Sequence, residues 1–415
     1  MKSDLRFFRI FFVLIPVFLF FSAQLIAQDE GFIYGKITTI DDNTYQGQIR
    51  WGDEEAFWTD MFNAGKRYND NIQYLSRRDR EYLDEYRKRS SRWDEWGINI
   101  NWGNNSYVHQ FNTQFGNLKI LYMIGRERVE IEFKDGKKIE VTGEGYNDIG
   151  GEIRVYDEEL GEIGLRWSRI DKIEFMPTPK NLEDKFGDPL YGTVQTSIGD
   201  FTGYIQWDHD ERITTDILNG HSEDGKLDIQ FGKIKSIEND RSASIVVMQS
   251  GRKLYLRGTN DVNSENRGII ISDNTFGRVD IPWRDFRKVV FNDKLPATGV
   301  SYNDFSAPKE LTGSVKTKSG EVHKGRIIYD LDEAYDMEVI QGMDDDIEFI
   351  IPIKHIRKII PKNYSYATVE LKNGKSYLLG DSQDVSDKND GMLVFIGSDE
   401  PIYIPWDDVD EIIFN

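Results

Sequence analysis

Ile281-Pro282-Trp283-Arg284-Asp285-Phe286-Arg287-Lys288-Val289-Val290-Phe291 returns near the C-terminus as Ile404-Pro405-Trp406-Asp407-Asp408-Val409-Asp410-Glu411-Ile412-Ile413-Phe414. A third copy, without the proline, is Leu165-Arg166-Trp167-Ser168-Arg169-Ile170-Asp171-Lys172-Ile173-Glu174-Phe175. The line closes three long repeats, and the internal period sets how the chain must be read.

Each repeat opens on a period-2 run, a polar turn and a second run, the signature of a β-hairpin. The openings are Tyr34 to Trp51, Tyr191 to Trp207 and Thr312 to Tyr329. A second module follows, with hairpins Val129 to Gly136, Ile245 to Gly251 and Val369 to Gly374, and then the closing tryptophan line. Three repeats of two modules result: 28–178, 188–292 and 310–415. Proline-punctuated polar stretches, Met176 to Asp188 and Asp293 to Lys309, read as linkers between them.

The first repeat carries extra material near residues 60–113. Tyr68, Ile72, Leu75, Tyr82 and Tyr86 fall at helical spacing in a charged background, which predicts a helical insertion with one apolar face. Lys66 to Gly97 holds nine Lys/Arg against seven Asp/Glu in an otherwise acidic chain. The insertion holds four of the nine tryptophans, Trp58, Trp93, Trp96 and Trp102.

A unit of two hairpins, a tryptophan strand, a short turn and a last strand resembles the SH3-like or Sm-like small β-barrel, in which a one-turn 3₁₀ helix separates the last two strands. The segment from Trp283 through Phe286 to Val289 carries the resemblance, with Pro282 ending a strand. The resemblance implies an all-β fold of tandem small barrels. It implies no function, and the RNA contacts of the Sm family have no matching motif here. A six-bladed propeller is the competing architecture for six units of this length.

Composition bounds the function. The formal charge of −20 argues against nucleic-acid partners and anionic membrane surfaces. Residues 1–27 read as a secretory signal: Lys2, Arg6 and Arg9 precede the apolar run Ile10 to Phe21, and a cut falls between Ala27 and Gln28. The expected location is exported: periplasmic, outer-membrane associated or extracellular, with no membrane span after cleavage. With no cysteine in the chain, disulfides and thiol catalysis are excluded.

No catalytic signature emerges. The five histidines are dispersed without metal-ligand spacing, and no nucleophile-elbow motif occurs. No cofactor is expected; calcium in the oxygen-rich loops 260–266 or 381–390 is the one option the residues offer. Trp51, Trp207 and Tyr329, with Trp167, Trp283 and Trp406, recur at equivalent places and are assigned to the core. The expected protein is therefore a non-enzymatic bacterial envelope scaffold or interaction module. Its candidate surface is Trp58, Tyr82, Tyr86, Trp93, Trp96 and Trp102, facing another envelope protein or a polysaccharide. A carbohydrate-binding protein using these tryptophans is the alternative, and a hydrolase with unrecognised carboxylates a more distant one.

Overall fold

A computed structural model describes residues 29–66, 69–90, 109–146, 148–292, 300–397 and 400–415. The signal segment and Trp93, Trp96 and Trp102 lie outside the described residues. The first repeat contains ten strands: β1 (Tyr34–Thr39), β2 (Thr44–Trp51), β3 (Met61–Lys66), β4 (His109–Gln114), β5 (Leu118–Met123), β6 (Arg128–Phe133), β7 (Lys138–Thr142), β8 (Glu152–Asp157), β9 (Gly161–Arg166) and β10 (Ile170–Phe175). The period-2 pattern works as expected. In β6, Val129, Ile131 and Phe133 are buried while Glu130 and Glu132 pair outward with Lys138 and Lys119. The other two repeats contain the same ten strands in the same order, so the all-β class is shown.

The strands do not pair within the modules seen in the sequence. The opening hairpin β1–β2 pairs with β10 on one side and with β8–β9 on the other, giving the order β10-β1-β2-β8-β9. The middle strands give β5-β6-β7-β3-β4. One ladder, β5 against β10, joins the two groups. Each group thus takes its hairpin from one module and its last three strands from the other. Successive self-contained modules are corrected to an exchanged pair, and the second and third repeats repeat it. The short turn before the last strand is present twice per repeat. It is 3₁₀ at Phe115–Asn117, Trp167–Arg169, Phe231–Lys233, Ile353–His355 and Trp406–Asp408, and a plain turn at Trp283.

The repeated glycines have two separate causes. Gly136, Gly251 and Gly374 sit in hairpin turns at φ of 85°, 85° and 87°, where only glycine is unstrained. Gly35 and Gly47 face each other across β1–β2, and a Cβ on Gly47 would overlap the Tyr156 carbonyl. Gly192 with Gly203 and Gly313 with Gly325 repeat this. These strand glycines permit tight coiling.

The extra segment is shorter than the sequence indicates. β3 and β4 belong to the shared set; their counterparts Ile217–Ser222 and Gly225–Gln230 are joined by two residues. Residues 67–108 therefore replace a two-residue turn. The expected single helix is two pieces, a 3₁₀ turn at Asp70–Tyr74 and helix α1 (Arg77–Ser90). Ser76 Oγ accepts the Asp79 backbone N–H at the break, which starts α1 afresh.

The three repeats touch pairwise. The second-repeat counterpart of β9 (Gly277–Ile281) pairs with the third-repeat counterpart of β4 (Ile347–Pro352), and the two repeats share one core in which Phe201 meets Phe349 at 5.9 Å. Between the first and second, Phe57 stacks on Tyr204 at 4.9 Å beside Phe32 and Ile213. The linkers are packed as well. Lys185 meets Asp29, and Tyr302 stacks near Trp58 while its hydroxyl donates to the Leu118 carbonyl.

Candidate functional site

The loop after the second strand is built the same way three times. It runs Trp51-Gly52-Asp53-Glu54-Glu55, Trp207-Asp208-His209-Asp210-Glu211 and Tyr329-Asp330-Leu331-Asp332-Glu333. Its second residue has a left-handed backbone at Gly52, Asp208 and Asp330 (φ 60°, 48° and 50°), which doubles the chain back so that the Trp or Tyr N–H meets the Glu carbonyl. The large side chain then reaches across the core. Trp51 Nε1 donates to the Asp148 carbonyl at 2.8 Å and Trp207 Nε1 to that of Asp261 at 2.9 Å, while the Tyr329 hydroxyl donates to that of Asp384. The carboxylates of those same aspartates accept the backbone N–H of Asn63, Asn219 and Gln341.

Each repeat thereby gathers several carboxylates around one glutamate, buried at Glu55 and Glu333 and half-buried at Glu211. Burial pushes Glu55 well above the usual carboxylate range, with Asp148 and Glu54 adding like charge and Arg278 opposing. Burial raises Asp148 and Asp384 from 3.8 to about 7 each, and Glu211 from 4.5 to about 10. Glu333 and Asp330 rise well above their ordinary values for the same reason, with neighbouring aspartates adding to it. Among the described residues, Glu211 Oε2 and Glu333 Oε2 find no hydrogen-bond partner.

A further acid closes each loop and receives a cation from another repeat. Asp60 accepts the N–H groups of Ala56 and Phe57, Asp216 those of Arg212 and Ile213, and Glu338 those of Ala334 and Tyr335. Arg50 of the first repeat grips Asp216 of the second with two bonds at 2.7 and 2.8 Å. Arg212 of the second returns the contact to Asp60 of the first and is fully buried. Lys66 of the first repeat meets Glu338 and Asp332 of the third. Burial alone would lower the Lys66 ammonium; Asp332 and Glu338 outweigh it and raise it.

The loops of the first and second repeats open on a cavity of about 600 Å³ whose remaining wall comes from strands of the third repeat. Glu54 and Glu55 come from the first, His209, Arg267 and Arg278 from the second, and Glu348 from the third. His209 Nε2 lies 3.0 Å from Asp280.

The surface drawn from the sequence fares differently. Trp58 is not on the surface: it is fully buried, and its Nε1 donates to Thr178 Oγ1 at 3.0 Å. Tyr86 is also buried, and Tyr82 is half-covered, its hydroxyl donating to Asp407 at 3.1 Å. Both belong to the face that α1 packs on the third repeat, where Arg87 pairs with Asp390 and Leu75 and Leu83 contact Ile328, Leu331 and Leu393. These residues are corrected from an outward surface to an internal contact, because an apolar stripe on a polar helix finds cover within its own chain. The recurrent tryptophans and Tyr329 are all buried.

The loops considered for calcium direct their oxygens to the chain itself. Asn263 and Asn266 cap their own loop, and Asn389 does the same for its loop while Asp390 takes Arg87. Asp261 and Asp384 turn inward to the acidic clusters, where Asn260 and the Asp390 backbone N–H also donate to Asp208 and Asp330. Glu55, Glu211 and Glu333 were legible by the rule that found the tryptophans, since each stands four residues after the recurrent Trp or Tyr. Asp148 was not, because its loop looks poor until the fold brings Glu54 and Glu55 to it.

Comparison with protein-family models and with curated protein sequences finds no match.

Proposed function

We propose that the chain is a non-enzymatic exported scaffold that presents one insertion to a partner in a bacterial envelope. The observation that supports this is the locking of the repeats. Ionisable side chains that could serve chemistry, such as Arg50, Arg212 and Lys66, instead join one repeat to another. Among the described residues no helix is long and apolar enough to cross a membrane.

The presenting element is the outer face of α1 together with the tryptophan-bearing stretch that follows it. Arg77 and Glu81 stand on that face with side chains 93% and 65% exposed. Simultaneous Trp93, Trp96 and Trp102→Ala substitutions keep the described contact residues Leu75, Leu83 and Arg87 in place. Capture of an envelope protein by the purified mature chain should be lost in the triple variant while far-UV circular dichroism is unchanged. Equal capture by both proteins would remove the insertion from the function. A glycan array with the same pair separates a polysaccharide partner from a protein one. Export is tested by N-terminal sequencing of the protein from cells, with Gln28 expected as the first residue.

A further inference from the structure

The three acidic loops repeat one arrangement and differ in what neutralises it. In the second repeat, Arg267 meets Asp210 at 2.6 Å and Asp208 at 3.4 Å. In the third, Lys66 meets Asp332 at 3.1 Å. Asp210 and Asp332 occupy the position that Glu54 holds in the first repeat. In the second and third repeats the residue at this position therefore faces a cation of the chain.

In the first repeat, Glu54, Glu55 and Asp148 each place a carboxylate oxygen within 4.8 Å of the others. Glu55 is 6% exposed and Asp148 2%. The Glu55 side chain makes no hydrogen bond or ion pair with a described residue, and it lines the cavity between the repeats. Arg278, whose field reaches both Glu55 and Asp148, is turned to Asp280 at 3.5 Å and makes no ion pair with either. A buried carboxylate facing a polar cavity without a partner is strongly unfavourable unless a cation or a proton joins it.

We propose that Glu54, Glu55 and Asp148 bind a hard divalent cation of the calcium type. The donors are all oxygen, which disfavours zinc and copper. They come from two separate loops and leave one side open to the cavity. Such a site suits the irregular shell of about six to eight oxygens that calcium accepts, completed by water, better than the strict octahedron of magnesium. The bound ion ties the loop after β2 to the loop before β8, and so stiffens the face that the first repeat turns to the other two.

Terbium is the probe, because Trp51, whose indole donates to the Asp148 carbonyl, is placed to sensitise its emission. The full mature chain at physiological ionic strength should bind one terbium per chain with saturable, tryptophan-excited emission, displaced by calcium well before magnesium. Glu55→Gln and Asp148→Asn should each weaken binding by about tenfold or more. Glu211→Gln, at the equivalent place beside Arg267, should leave it unchanged. A linear, unsaturable signal, or equal affinity in Glu55→Gln, overturns the site. A wild-type Tm that does not rise with calcium overturns it too, and that measurement stands even if a variant fails to fold.

Discussion

Gly325 and Gly374 are both in hairpins of the third repeat, yet their replacement should have different costs. At Gly325 a Cβ would overlap the Phe395 carbonyl, so the two strands must separate. Gly325→Ala should cost about 1–3 kcal/mol in urea unfolding, as overpacking does. Gly374 has φ of 87° with open space around it, so Gly374→Ala should cost only about 1 kcal/mol of backbone strain. Equal losses would show that sheet coiling is not what fixes Gly325. Arg212 carries more. It is fully buried against Asp60, so Arg212→Met should destabilise by about 3–5 kcal/mol, and pairing it with Asp60→Leu should recover part of the loss. Recurrence in the sequence exposed the tryptophans. It could not expose Arg212, because its counterparts Ala56 and Ala334 are small and the partner belongs to another repeat.

At the scale of the element, α1 acts as a brace. Its inner face meets the third repeat through Leu83, Tyr86 and Arg87, close to Tyr403 on the edge strand Ile402–Ile404. Replacing residues 67–108 by a two-residue turn should leave the first repeat folded. Hydrogen exchange should then accelerate around residues 390–404, and protection there equal to wild type would refute the brace. A deletion of 62–112 would instead remove strands common to every repeat. The sequence revealed the helical spacing and the basic balance of this segment. Its true bounds were hidden because β3 is identical to its counterparts only at Asn63 and Asn219, while the next repeat has Gln341.

For the whole molecule, the order of strands was legible and their partners were not. Period-2 alternation marks a strand and its buried face, but any edge of matching register satisfies it. The exchange between modules and the joint core of the second and third repeats therefore appear only in the fold. Those two repeats should unfold in one transition, and calorimetry of residues 188–415 should show a single peak. Acidity gives another global expectation. Asp148 and Asp384 have folded values raised from 3.8 to about 7, so the native state binds more protons than the unfolded chain between those limits. Their contribution to stability is full below about pH 4 and disappears as pH rises through about 7. Tm should fall from pH 5 to pH 8, and a flat or rising profile would contradict the buried clusters. The exchanged strands also bear on how the chain is made. Strand β2 has its partner β8 about a hundred residues downstream, so at roughly 5–20 residues per second the opening hairpin waits several seconds with an unsatisfied edge. The half built on β1 and β2 must therefore wait for the last three strands of its repeat, and during synthesis a holding chaperone has a defined interval and a defined edge to guard.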